Sequence, residues 1–472
     1  MKRPRKIVIK VAILAAVCML FVGLRSARAQ ATSQPAIKPP SLQPDASDII
    51  AGPMLTWDTT TGDLHPWFMT KGGGSLWLYS GSATKSIAMK DISAESYPIC
   101  GRATDMDVMT CRIKRQNYVE CDGIQLTLVK YDPKKVKKLE DAVILGTATC
   151  PPIPSAGEPT QLTLAFGSCS HQEKFAESQP IWNAVVKEKP NIFLFIGDNI
   201  YAPSGASDYP DDKEKVRTIF RKLYAQNRQI PELQPLLRSA YCFGLWDDHD
   251  YGPNNSDSTF KHKDVALEVF REFFPGTYGL PCAPGCFQKI TWGDVDVFML
   301  DDRSFRDGNF DGGRKTMFGK AQLDWLKSGL KNSKAKVKLI VNGNQMLSDK
   351  HIYESWGGLF PKECGDFLRF IWDNKITGTI FLAGDRHFAE LIRKPDPKGI
   401  GPDLYELTSS PLANGHFDRG GKEPNAERLA KYTDGVNFGL LKIDTTVTPL
   451  VVEMMVKDVD GTAVISERVV VK

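Results

Sequence analysis

The stretch Ile192-Phe-Leu-Phe-Ile-Gly-Asp-Asn-Ile-Tyr201 decides the fold class. Its first five residues are apolar without a break. Such a short unbroken run, followed at once by turn residues, reads as a strand buried on both faces. Gly197-Asp198-Asn199 then places a carboxylate and an amide just beyond the strand's carboxyl end, which is where α/β sheets bind ligands. The preceding segments complete the unit. Leu162-Thr-Leu-Ala-Phe166 reads as another buried strand and Gln179–Lys189 as a helix, so the order is strand–helix–strand.

The same grammar recurs. Phe166-Gly-Ser-Cys169 follows the first strand. Trp246-Asp-Asp-His-Asp250, running on to Asn254-Asn255, follows an expected strand at Tyr241–Trp246. Gly384-Asp-Arg-His387 follows one at Thr379–Leu382. Around these, the pattern predicts a helical stretch over 211–239 and helices near 319–331 and 362–374. It predicts strands at Lys289–Thr291, Val295–Leu300 and Val337–Asn342, the first two joined by a Gly293-Asp294 turn. The tail, 437–471, reads as strands, among them Val451–Val456 and Ala463–Val470. Residues 51–158 differ: short alternating runs at Ser75–Tyr79, Gln116–Cys121, Ile124–Val129 and Ala142–Leu145 suggest a small all-β domain, closed by Pro151, Pro152 and Pro154.

Each motif alone has a plain structural reading. Gly-Asp is a common turn, a single Cys is more often buried or bridged than a ligand, and Tyr201 alone reads as core. Together they say more. Asp247, Asp248 and Asp250 flank His249 and repel one another unless cations neutralise them. The chain has seven histidines, and two of them, His249 and His387, sit in acidic strand-end motifs. Carboxylate and amide oxygens suit hard cations such as Ca²⁺ or Mg²⁺, while a thiolate and a phenolate suit a transition metal such as Fe³⁺ or Zn²⁺. A polynuclear site of mixed character follows. Such sites bind phosphoryl oxygens, activate water and stabilise a leaving oxygen, so phosphate-ester hydrolysis is the expected chemistry.

These motifs, with Leu300-Asp-Asp-Arg-Ser-Phe-Arg306, resemble in order the PhoD-like alkaline phosphatase family of the metallophosphatase superfamily. The resemblance covers about 160–470 and implies an α/β fold, a two-sheet sandwich flanked by helices, over 160–472. A β-sandwich usually precedes it in the family, a place that 51–158 would fill. It implies hydrolysis of phosphomonoesters and diesters, some phospholipids included, with one Fe³⁺ and Ca²⁺ ions, other divalent metals remaining possible. Carried over, Cys169 resembles the thiolate ligand of iron, Tyr201 its phenolate ligand and Asp198 the bridging carboxylate. Asp247 or Asp248, with Asn254, belongs to the second metal-binding segment, and Asp385 and His387 resemble late ligands. His249 aligns with the superfamily's proton donor, with a packing or supporting role as the alternative. Arg303 either contacts the phosphoryl group or anchors Asp301. Two other functions stay open: a phospholipase D-like phosphodiesterase, and a non-catalytic, metal-stabilised surface binding protein. Asn199 stands where some relatives have Tyr.

The N-terminus has the pattern of a secretory signal. Lys2, Arg3, Arg5 and Lys6 precede an apolar run from Val11 to Leu24, and Ala27-Arg-Ala29 is a small-x-small cleavage site ahead of Gln30. The run is short for a membrane span. No adjacent arginine pair opens it, unlike the family's best-known iron- and calcium-containing members, so the general secretory route to the periplasm, cell surface or exterior is expected. Residues 30–50, rich in Pro, Ser, Gln and Ala, read as a linker. The formal net charge of the whole chain is +4, and removing the signal's seven positive residues takes it to −3. That leaves no strong field for nucleic acid and no stable membrane anchor. The expected partner is a phosphate-ester small molecule or lipid; oligomeric state is not legible. Ten cysteines are present. Cys282-Ala-Pro-Gly-Cys286 is a loop able to close on itself, and the four cysteines from Cys100 to Cys150 suffice for two bridges.

Overall fold

The computed structural model describes residues 49–471, apart from 72–75, 83–84, 89–91, 99–105, 114–123, 131–142, 176, 310–314, 350–353 and 418–421. The signal-like segment 1–29 lies outside the described residues, as does the linker except for Ile49 and Ile50.

Two sheets carry the chain. The first runs Ala463–Val471, Leu450–Asp458, Asn437–Asp444, Gln161–Gly167, Ile192–Ile196, Tyr241–Leu245, Ile49–Trp57, Leu64–Lys71, Met106–Ile113, Ile92–Pro98. Its centre is parallel: Leu194 lies opposite Phe166 on one side and Phe243 on the other. The second runs Gln288–Trp292, Val295–Met299, Val337–Val341, Thr379–Ala383, Leu404–Thr408, Ala389–Lys394, Arg428–Tyr432. It too is parallel at its centre, with Ile340 opposite Phe298 and Phe381. A third sheet, Lys85–Ala88, Leu76–Ser82, Ile124–Lys130 and Val143–Cys150, is built entirely from the N-terminal region.

Alternation along the second sheet explains the layering. Val297, Leu339 and Leu382 point into a core shared with the first sheet, whereas Phe298, Ile340 and Phe381 point into a second core. That second core is closed by the helices Gly319–Asn332 and Pro361–Asp373 through Leu326, Leu330, Phe367 and Ile371. Both faces of these strands are therefore buried, which is why four of the five residues in each are apolar. On the first sheet, the helix Lys213–Arg228 is capped by Asp212, whose side chain accepts from the Glu214 amide at 2.9 Å. It buries Val216, Phe220 and Tyr224, one per turn. The result is the expected α/β sandwich, with its parallel strands ending on one side, at the site.

The strands expected around the site occur within a residue or two of their expected limits, and residues 293–294 form the turn of the hairpin Gln288–Met299. Three strands at Ala389–Lys394, Leu404–Thr408 and Arg428–Tyr432, and a helix at Lys263–Phe273, were not expected. The described N-terminal residues are strands, turns and coil, but they are divided between two sheets: Ile49–Trp57 pairs parallel with the central strand, Leu55 opposite Tyr241. The expected strand at Gln116–Cys121 falls outside the described residues. Cys282 and Cys286 are both free thiols, so that loop is not closed by a bridge. Cys286 is buried while Cys282 is exposed. Cys150 is also free and buried, so it is not part of a bridged pair. Cys100, Cys121 and the Cys111 side chain lie outside the described residues. Among the described residues, no helix is long and apolar enough to cross a membrane.

Candidate metal centre

The strand ends converge because their loops bond to one another. The Cys169 amide donates to the Gly197 carbonyl at 3.2 Å, and the Ser170 amide to Asp198 at 2.9 Å. Gly384 donates to Gly343, and the Asp385 amide donates to Ser168 Oγ at 3.1 Å. Gly197 is required by close approach: with φ of 92°, a Cβ there would lie 2.6 Å from that of Asp247. Cys169, Asp198, Asp385 and His387 all adopt positive φ, between 49° and 68°. Left-handed backbone is costly for residues with a Cβ, and it clusters where function demands it.

A first group gathers Cys169, Asp198 and His387, whose ligand atoms all lie within 4.8 Å of one another. Cys169 Sγ is 3.5 Å from Asp198 Oδ2, and the Tyr201 hydroxyl donates to the same oxygen at 3.0 Å. The Tyr201 hydroxyl also lies 3.2 Å from His387 Nε2. His387 Nδ1 faces the Gly415 carbonyl, which only accepts, so Nδ1 carries the proton and Nε2 is left as a lone-pair donor. Burial holds the His387 pKa down at about 4. Asp198, Asp248 and His249 form a second group, and Asp247, Asp248 and Glu354 a third. Asp198 therefore joins the first group to the second, and Asp248 joins the second to the third.

The electrostatics separate these groups. Arg303 is fully buried, pairing through Nε (2.7 Å) and Nη2 with Asp247, and through Nη1 (3.0 Å) and Nη2 (2.8 Å) with Glu354. Arg306 adds a bond to Glu354 at 3.2 Å. The third group thus has cations of its own. Among the described residues, the first has none in contact. Burial, then Asp248, Asp250 and Asp385, push the Asp198 carboxyl well above its ordinary range. Burial and the nearby carboxylates of Asp198 and Asp385 likewise raise the Cys169 thiol. Asp198 Oδ1 and His249 Nδ1 are buried with no hydrogen-bond partner. An orphaned carboxylate oxygen and ring nitrogen beside mutually repelling acids fit a bound cation, so the residues fit a metal centre.

The three aspartates around His249 have different tasks. Asp250 accepts from the Asn199 and Asp247 amides, both at 3.1 Å, and from Tyr224 Oη at 2.8 Å. With Asp247 it caps the short helix Asp248–Tyr251. Burial leaves Asp250 titrating near 7. Asp248 alone of the three lines the pocket. Burial opposes its charge, but His249, Arg303 and the Asn255 amide outweigh that and bring it to about 2. Asn199 turns its amide to the Leu245 carbonyl at 2.9 Å, tying two strand ends together.

The pocket above has a volume of about 900 Å³. Asp198, Tyr201, Asp248, His249, Asn254, Asp385 and His387 line it; Cys169 is fully buried and does not. His249 lies with its ring 4.5 Å from Tyr201, and Asn254 is exposed at the rim. Arg303 does not line the pocket, and its backbone amide, not its guanidinium, bonds to Asp301 at 3.1 Å. Glu354, Asn344, Lys174 and Asn414 escaped the sequence reading. Asn344, which donates to Asp247 Oδ2 at 2.8 Å, does follow a buried strand in the same way as the other motifs. The other three come from loops without that signal.

A family profile described as PhoD-like phosphatase matches residues 164–453. The chain belongs to this family. Among solved structures, one titled "Structure of PhoD" is 16% identical, spans 91% of this chain and 92% of its own, and superposes with a TM-score of 0.63. The purple acid phosphatase PPD1 from yellow lupin (Lupinus luteus) seeds is 10% identical, spans 89% and 74%, and has a TM-score of 0.60. No curated protein sequence matches. The PhoD-like chain is a metal-dependent hydrolase of phosphoric esters, and its two-sheet core shares the sandwich fold of these two phosphatase structures.

Proposed function

We propose that this PhoD-like chain is an exported phosphoesterase acting on phosphate monoesters and diesters, with iron in its first ligand group and calcium beside it. The observation that carries the reading is the sharing of Asp198 between the Cys169–Asp198–His387 group and the Asp198–Asp248–His249 group, at the floor of one open pocket. A thiolate, a phenolate, an imidazole and a carboxylate make the first group a transition-metal site. The second is richer in carboxylate, and the pocket-lining Asn254 and Asp385 add oxygens suited to calcium. When bound, the metals supply Lewis acidity toward the phosphoryl group and the attacking water.

The chain's own residues do the rest. Asp198 and Asp248 hold the charge that recruits cations. Gly415 fixes the His387 tautomer. His249, beside Tyr201 at the pocket, is placed to hand a proton to the departing alkoxide. Export by the general secretory route rests on the segment from Lys2 to Ala29.

The test is elemental analysis of the purified mature protein together with hydrolysis of para-nitrophenyl phosphate and bis(para-nitrophenyl) phosphate. Iron and calcium are expected to co-purify. Asp198→Ala and Cys169→Ser are expected to lose metal and turnover while keeping the wild-type circular dichroism spectrum. Wild-type turnover by either variant would remove the metal-centre assignment.

A further inference from the structure

Lys174 and Asn414 line the pocket together, beside His171 and His387. Lys174 Nζ donates to Asn414 Oδ1 at 3.2 Å, and the Gly415 amide donates to the same oxygen at 2.8 Å. Two donors on one oxygen settle which end of the amide is which, so Asn414 Nδ2 faces elsewhere. That nitrogen is buried and has no hydrogen-bond partner, in a residue only 2% exposed. Buried donors are normally satisfied; beyond a long approach to the Tyr201 hydroxyl, this one is open to an acceptor entering the pocket.

The charges on the wall are unequal. Arg386 also lines the pocket, but it holds both Glu423 oxygens at 2.9 Å and is neutralised. Lys174 has no carboxylate partner among the described residues. It bonds to Asn414, whose neighbour Gly415 faces His387 Nδ1, and His171 stacks on Tyr201 with ring centroids at 4.5 Å, so the lysine stands at the end of the site formed by the first ligand group.

We propose that Lys174 and Asn414 select phosphate monoesters over diesters. The inference rests on the phosphoesterase reading and narrows its substrate class. With a second pKa of about 6, a phosphate monoester is mostly a dianion in neutral and alkaline solution. A diester carries one negative charge, and an ester oxygen replaces one terminal oxygen. An ammonium and an unused amide donor on one wall match that extra terminal oxygen with charge-assisted hydrogen bonds. An alkoxy group in the same place offers no charge and leaves the ammonium uncompensated, so the wall both attracts one substrate and rejects the other.

The experiment compares hydrolysis of para-nitrophenyl phosphate and bis(para-nitrophenyl) phosphate by the metal-loaded full chain, as wild type, Lys174→Gln and Lys174→Arg. The wild type is expected to favour the monoester. Lys174→Gln should lower kcat/KM for the monoester by roughly 10- to 100-fold more than for the diester, the size of a lost hydrogen bond to a charged group. Inhibition by inorganic phosphate should weaken in parallel, and Lys174→Arg should restore most of the preference. Equal losses on both esters, no loss, or a wild-type preference for the diester would overturn the selection. A wild type that hydrolyses neither ester, with metals bound, would instead overturn the phosphoesterase reading beneath it.

Discussion

The Arg303 guanidinium lies fully buried between Asp247 and Glu354, each bonded to it twice. Removing one partner of a buried pair strands the other in a medium that disfavours charge, typically at 3–5 kcal/mol. Arg303→Met is therefore expected to cost about 3–5 kcal/mol in denaturant unfolding, and a second change, Glu354→Gln, should return part of that loss. A loss under about 1 kcal/mol would mean the pair is not buried as described. The residue scale is also where the sequence is most and least informative. Cys169, Asp198, Tyr201, Asp248 and His387 were legible because each falls within a few residues of a buried strand's end. Arg303 was legible as important and not as to role, since a motif does not reveal whether a guanidinium faces a pocket or two carboxylates behind it. Lys174 and Asn414 meet through loops 240 residues apart, and only the fold joins them.

Two of the strands that escaped the sequence reading did so for a common reason: buried polar side chains broke their apolar pattern. The strand Leu404–Thr408 carries Glu406, which is completely buried and accepts from the Met346 and Leu347 amides at 2.7 and 2.9 Å, pinning the loop after Val337–Val341. Ala389–Lys394 carries buried Glu390, paired with Arg428. A run with a glutamate at its centre does not read as a buried strand. Burial, against the help of the two amides, raises the Glu406 pKa from 4.5 to about 7. The folded chain then holds a proton there that the unfolded chain has released. Glu406 therefore favours the folded state fully below pH 4.5, and that advantage disappears as pH rises through 7. Replacing Glu406 with Gln, which keeps an acceptor and cannot ionise, should leave the protein more stable than wild type at pH 8. The gain is on the order of 3 kcal/mol and should shrink steadily toward pH 5. Melting temperatures of both proteins across that range check the sign; a parallel pair of profiles would show that Glu406 does not titrate there.

At the scale of the whole molecule, the N-terminal region is tied to the core by strand pairing. Ile49–Trp57 hydrogen-bonds beside Tyr241–Leu245, the strand that delivers Asp247 and Asp248 to the site. Trp57 stands edge-on to Tyr241 and Phe243, each with ring centroids at 4.7 Å, and Trp67 lies 5.9 Å from Phe273. Met54, Leu55, Trp67 and Phe68 are fully buried within the same core as the first sheet. The alternating pattern of 51–158 announced strands without saying which sheet they join, because pairing partners far apart in sequence leave no periodic mark. The pairing has a consequence for truncation. A chain beginning at Pro159 would uncover the backbone edge of Tyr241–Leu245 and the apolar surface of its neighbours, including two or more large aromatic side chains. Burying one such side chain contributes about 1.5–3 kcal/mol, and an exposed apolar strand edge recruits other chains. Given a total stability of about 5–15 kcal/mol, the truncated chain is expected to aggregate on expression or to unfold well below the full-length melting temperature, and to bind no metal. A soluble, metal-loaded fragment with full phosphatase activity would show instead that the catalytic sheet is complete without its N-terminal strands.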